Sequence, residues 1–163
     1  MNKGELEQIV SQVVKQQLYP ADITEMTLAL AKRLALRVEQ KATEMGVKPV
    51  VAISNTGARP VLVECTDDSY IASYDVALQK AYTVVALKMP TKTLKALAQP
   101  GEPLYGIQFT NEGKIVIFGG GDPLIYNGKI IGGLGVSGGS EEQDTELSRY
   151  GASILPEIMK GEI

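Results

Sequence analysis

The chain has 163 residues, 44% hydrophobic and 21% charged, with a formal net charge of -3 and no histidine. That length suffices for one domain with its own core. The slight acidic excess, with no basic block, excludes the positive stripe that displaces counterions from phosphates, so nucleic acid is set aside as a partner.

Without histidine, a Ser-His-Asp or Cys-His site is impossible and the commonest zinc ligand is missing. The single cysteine, Cys65, has no partner for an internal disulfide, which suits a reducing compartment. Its place in a strand-like run predicts a small buried hydrophobe. No apolar run approaches the ~20 residues that cross a bilayer. The first residues alternate polar with apolar and do not read as a secretory signal, so a cytoplasmic protein is expected.

Residues 5–18 read as an amphipathic helix. Leu6, Ile9, Val10, Val13 and Leu18 share a face by three-and-four spacing, and Tyr19-Pro20 ends it. At about 14 residues such a helix is marginal alone, so its apolar stripe needs something to dock on. Asp22 and Glu25 have capping-box spacing and predict the start of a second helix. Its buried stripe is Ile23, Thr27, Leu30, Leu34, Val38 and Met45, with Gly46 as its stop. Residues 49–54 and 61–63 are β-rich runs around Asn55-Thr56-Gly57, which predicts a hairpin.

Asp67 and Asp68 offer caps for a helix over residues 69–87, with Ile71, Tyr74, Leu78, Ala81 and Val85 on one face. Met89-Pro90 breaks it, and a short helix restarts at Thr91. A loop leads from Glu102 towards a strand, and Asn111-Glu112-Gly113 forms a turn. Residues 115–118, almost wholly apolar, then read as a central strand, which Gly119-Gly120-Gly121-Asp122-Pro123 interrupts. Leu124-Ile125-Tyr126 enters an Asn127-Gly128 hairpin, and residues 130–136 form the last strand. Ser140 caps the final helix with Gln143 at the reciprocal position, and Leu147, Tyr150, Ile154 and Ile158 line its buried face. The whole predicts an α+β domain over 21–163, a five-stranded mainly antiparallel sheet covered by helices, preceded by the helical extension 1–20.

Two glycine clusters stand out, 119–121 and 132–139. Bare backbone there either lets a bulky ligand approach or makes bulges, corners and close packing in a curved sheet. Neither cluster is a P-loop. Glu141, Glu142 and Asp144 in the first turn of the last helix would repel an anion and are read as partners of the helix dipole. Lys80 is either a cation for a ligand carboxylate or a lysine on a solvated helix face. Tyr70, Tyr74 and Tyr82 either ligate iron, stack on a ring or fill the core. An acid or base would have to come from Asp75, Lys80, Asp144 or a tyrosine, with no pair singled out.

Taken together, several stretches resemble the GlcG/HbpS-like family, which includes the C-terminal domain of PduO-type proteins. They are the hairpin at 55–57, SYDVALQKAY at 73–82, Met89-Pro90-Thr91, QPGEPLYG at 99–106, FGGGDP at 118–123 and GGLGVSGGSEEQD at 132–144. Asn55-Thr56-Gly57 stands where relatives often show Asp-Ala-Gly. The resemblance implies a profilin-like α/β/α sandwich, homo-oligomers, and a haem- or corrinoid-binding accessory role rather than catalysis. It places cofactor contacts at Lys80, Tyr82, Gly119, Gly120, Gly121, Pro123, Ser137, Gly138 and Gly139. Haem in such proteins can be held by a histidine; here tyrosine, methionine, cysteine or lysine would have to replace it, and none is singled out. Residues 5–18 are similar to the encapsulation peptides that bring cargo into bacterial microcompartments, which implies a place in the compartment lumen with shell or cargo proteins as partners. A structural protein without a ligand and an enzyme on a small organic substrate are the other readings.

Overall fold

The computed structural model describes residues 2–18 and 23–161. In chain order it has α1 (Lys3–Leu18), α2 (Leu28–Glu44), β1 (Val50–Ser54), β2 (Pro60–Cys65), α3 (Ile71–Ala86) and α4 (Thr91–Leu97). Two short 3-10 turns follow (Ile107–Phe109 and Asn111–Gly113), then β3 (Gly121–Tyr126), β4 (Lys129–Ser137) and α5 (Glu141–Lys160). The strands form a four-stranded sheet in the order β2-β1-β4-β3, every neighbour antiparallel.

The alternation of side chains along β1 decides the layers. Val51 and Ile53 join Leu34 and Val38 of α2 and Leu147 and Leu155 of α5 in the larger core. Val50 and Ala52 face the other way, onto Ala77 and Ala81 of α3. All of β1 is therefore buried, between two helices on one face and one on the other. On the α3 face the contacts are made by small residues. A side chain at Gly135 would run into the Ala77 carbonyl oxygen, and one at Gly133 would come within 2.5 Å of that of Ala81. These glycines let α3 lie directly on the sheet.

Both hairpins form as expected. Asn127 and Gly128 take positive φ, 48° and 73°, the pairing that a two-residue turn between twisted strands requires. In the other, the Asn55 carboxamide accepts the Gly57 and Arg59 amides, at 3.0 and 2.9 Å. The final helix carries the expected capping box between Ser140 and Gln143.

Five expectations need correction. Residues 115–118 are not a fifth strand. Ile115 and Val116 are buried, but the Val116 amide donates to the Thr83 hydroxyl at 3.1 Å rather than to a strand. Periodicity cannot separate a buried extended connection from a strand. The 119–123 run does not interrupt a strand either, because β3 begins at Gly121. Helix α2 starts later than expected: Thr27, placed on the buried stripe by spacing, is its N-cap and accepts the Leu30 amide. Asp22 lies outside the described residues, and Glu25 instead binds the Thr56 amide at 2.7 Å and the Thr56 hydroxyl. The N-cap of α3 is Tyr70, without a side-chain bond, while Asp68 pairs with Lys48 at 2.8 Å. Finally, Cys65 is exposed, because it ends β2 at the open edge of the sheet, where alternate side chains face water.

Helix α1 is present, but none of its described side chains, up to residue 14, enters either core cluster. Leu6, Ile9, Val10, Val13 and Val14 are each about half exposed.

Candidate functional site

Helix α3 has apolar residues on two sides. The inner side is Ala77, Ala81 and Val84, all buried. The outer side runs through Ile71, Tyr74, Leu78 and Tyr82 at helical spacing. Ile71 is 96% exposed and Tyr74 46% exposed, and Leu78 and Tyr82 are half-buried. The sequence spacing put Ile71 and Tyr74 on a buried face together with Ala81 and Val85. The structure divides that set, because the glycine surface of the sheet accepts only the alanine side of the helix. A helix apolar on both sides is one whose outer side calls for a cover.

Lys80 is on the inner side and wholly buried, so the solvated-face reading is corrected. Its ammonium donates to Asp144 Oδ2 at 3.0 Å and to the Val136 carbonyl at 2.7 Å, and lies 5.0 Å from the Phe118 ring centroid. Asp144, also buried, accepts the Gly139 amide at 2.9 Å. It is not simply a partner of the helix dipole. Burial pushes the Lys80 pKa down and the Asp144 carboxyl up; their mutual attraction opposes both changes, and the Gly139 amide opposes that of Asp144.

The two glycine clusters converge on this pair. A side chain at Gly120, whose φ is 108°, would come within 2.5 Å of the Lys80 ammonium and 2.7 Å of the Val136 carbonyl. One at Gly121 would press on Thr91 and Val84, and one at Gly119 on Thr145. The Gly119 amide donates to Glu141 at 2.9 Å, and Glu141 holds Lys95 at 2.5 Å. Gly138 and Gly139 are closed over by Lys48, Pro49 and Gln143. The Ser137 and Ser73 hydroxyls meet at 3.2 Å, and Pro123 sits opposite Gly133 in the ladder. Lys80, Gly119, Gly120, Gly121, Ser137, Gly138 and Gly139 thus come together. The space their missing side chains leave is filled by the chain's own atoms. A second buried polar contact joins Ser148 to Asp122 at 2.5 Å.

Tyr82 belongs elsewhere. Its hydroxyl accepts the Asn111 carboxamide at 3.2 Å. Beside it a cleft of about 440 Å³ opens between α3 and the 55–59 hairpin tip, lined by Gly57, Arg59, Leu78, Gln79, Tyr82 and Lys114. Residues with positive φ border it on both sides: Ala58 at 57°, and Asn111 and Glu112 at 50° and 59°. Non-glycine residues held there cost of order 1–3 kcal/mol each and cluster at ligand clamps and switch regions. The sequence signal for this cleft is the Asn55-Thr56-Gly57 turn, which the residues alone mark as a hairpin and not as a cleft wall.

Among the described residues no group of three histidine, cysteine, aspartate or glutamate side chains could hold a metal ion. No described helix is long and apolar enough to cross a membrane.

These features define an α+β protein with an antiparallel sheet between helical layers, a sealed polar centre and an uncovered apolar helix face. The chain belongs to the haem degrading protein HbpS-like family, which matches residues 26–153. It is 44% identical over 136 residues to a 15.0 kDa protein of the dhaT-dhaS intergenic region of Citrobacter freundii, spanning 83% of this chain and 96% of that one. It is 39% identical over 108 residues, 66% of its length, to the corrinoid adenosyltransferase PduO of the same organism, and spans only 32% of that protein. The Klebsiella pneumoniae protein ORFY superposes with a TM-score of 0.80 at 39% identity, over 83% of this chain and 93% of its own. The PduOC:heme complex superposes at 0.76 and 34% identity, over 79% and 94%.

Proposed function

We propose that this chain is a non-catalytic, haem-binding accessory protein that works as a homo-oligomer. The observation that carries this is the likeness to PduOC, solved as a heme complex, over most of both chains. A haem needs a flat apolar surface and, for its iron, a nitrogen, sulfur or oxygen ligand. The sealed glycine region gives this chain no room for a macrocycle, so of the residues marked in the sequence the reading keeps Tyr82 as a contact. Lys80 and the glycines become the scaffold beneath α3.

The outer face of α3 meets the first requirement. Its stripe from Ile71 to Tyr82 spans about 16 Å at 1.5 Å per residue. For the second, Tyr74 stands in the stripe and its hydroxyl makes no hydrogen bond among the described residues. A second copy laid over this open stripe would complete the enclosure, which is why oligomer and ligand are proposed together. Bound there, haem would supply redox and ligand-binding chemistry at its iron; the chain's own residues hold and shield the ring.

The test is titration of the purified protein with haemin. A shifted Soret band that saturates at a fixed ratio to protein, and weakens with Tyr74→Phe or Ile71→Asp, is expected. A spectrum that remains that of free haemin ends the reading. A Soret band that forms and then bleaches under reductant would favour an enzyme instead. Titration with hydroxocobalamin in place of haemin tests the corrinoid alternative.

The half-exposed stripe of α1, together with the dha-locus relative, supports association with a bacterial microcompartment inside the cell, α1 acting as the docking helix. Fluorescent protein carrying residues 1–20 should then co-purify with shells. Equal recovery of a version with Val10→Asp and Val13→Asp would count against it, and would favour a ligand-free structural role for the extension.

A further inference from the structure

We infer that the Arg59–Lys114 cleft is a carboxylate-recognition subsite that orients a flat apolar dicarboxylate lying along α3, with its acidic edge at the hairpin tip. The inference deepens the haem reading and rests on it.

The stripe of α3 is not symmetrical end to end. At its N-terminal end Ile71 and Tyr74 are accompanied by the exposed Asp75. At its C-terminal end Leu78 and Tyr82 run into the cleft of about 440 Å³, where the charged lining residues are Arg59 and Lys114. Glu112 offsets Lys114 at 2.7 Å, so Arg59 carries the net positive charge of this end; a ring with two carboxylates on one edge is attracted there and repelled at the Asp75 end.

The cleft is built rather than a chance meeting of long side chains. Arg59 is placed by a hairpin tip locked through the Asn55 carboxamide and the Glu25–Thr56 contacts. Among the described residues no carboxylate pairs with its guanidinium, whose fork matches a carboxylate in two-bond geometry. Lys114 is held at 2.7 Å by Glu112. Its own amide donates to the Asn111 carbonyl at 3.2 Å, which holds its backbone in the 111–114 turn. The Gln79 carboxamide and Tyr82 complete a wall that is polar at its rim and apolar toward the stripe.

The test compares haemin with haemin dimethyl ester, whose ring is the same and whose carboxylates are masked. Both are titrated against the full chain and against Arg59→Gln, with Arg59→Lys as the conservative variant. Arg59 is exposed, so the fold is expected to survive. The expected result is roughly tenfold weaker haemin binding by Arg59→Gln, the worth of about one charge-assisted contact. Partial recovery in Arg59→Lys and no change for the ester should accompany it. Haemin and ester binding equally well to the native chain would overturn the inference while leaving the haem reading intact, as would equal losses for both forms in Arg59→Gln. Absence of binding by either form would remove the haem reading and this inference with it.

Discussion

Replacing Lys80 by methionine tests the buried pair most directly. Methionine keeps most of the aliphatic stem, so the volume between α3 and β4 stays nearly filled. What disappears is the ammonium that serves Asp144 and the Val136 carbonyl. Asp144 is 4% exposed and would keep only its amide donors. Removing one member of a buried pair typically costs about 3–5 kcal/mol, because the remaining charge is left unpaired. For a domain of this size that is a fall in Tm of roughly 6–20 °C. Burial already holds the Asp144 carboxyl above its unfolded value, and with the opposing Lys80 gone its folded-state pKa rises further. Stability from such a group is complete below the unfolded pKa and lost as pH rises through the folded one. The deficit of the variant should therefore be largest at neutral pH and shrink as the solution becomes acid. Urea denaturation across that range measures it. Adding Asp144→Asn should recover more than half of the loss at neutral pH. A deficit below about 1 kcal/mol, or one independent of pH, would refute the claim that this pair is a desolvated ion pair.

Two further predictions follow from other contacts. Glu39 on α2 has its carboxyl pushed from 4.5 up to about 7, first by burial and then by hydrogen bonding and charge repulsion from Glu64 of β2. Its stabilising contribution is complete below 4.5 and is lost as pH rises through 7. Glu39→Gln should thus stabilise the fold at pH 8 by about 1 kcal/mol, discounted for its partial exposure, and flatten the decline in urea midpoint between those values; an unchanged decline contradicts the coupling. Gly135→Ala should cost about 3 kcal/mol, because the added methyl meets the Ala77 carbonyl and α3 must retreat; a variant that melts with the native chain would mean that α3 does not lie directly on the sheet.

Much of the fold was legible because local chemistry and burial agreed. The Asn127-Gly128 turn, the Ser140–Gln143 box and the Leu30, Leu34, Val38 stripe each combine a local preference with a partner the fold supplies. The failures have a common cause. Residues 115–118 are as apolar as a strand, but the Thr83 hydroxyl takes the Val116 amide that a neighbouring strand would otherwise need. The capping role moved from Asp22 to Thr27, five residues on, because Glu25 is used by the Thr56 turn. Both decisions are made by contacts distant in sequence, which local pattern does not contain.

The candidate site was legible only in its residue types. Lys80 and both glycine clusters were recognisable as unusual, yet nothing along the chain says that Lys80 turns inward. That choice follows from Gly135 and Gly120, which lie 55 and 40 positions away and clear the space its stem and ammonium occupy. The same clearance determines the chemistry outside. Since the glycine floor draws the alanine side of α3 onto the sheet, Ile71 and Tyr74 are left facing solvent, where burial against the chain's own core would otherwise have taken them. A change that lifts α3 should therefore disturb the outer stripe as well as the ion pair. In Gly135→Ala, haemin affinity ought to fall although no residue of the stripe has been altered. Unchanged affinity in a demonstrably destabilised variant would show that haemin binding does not depend on how α3 is seated.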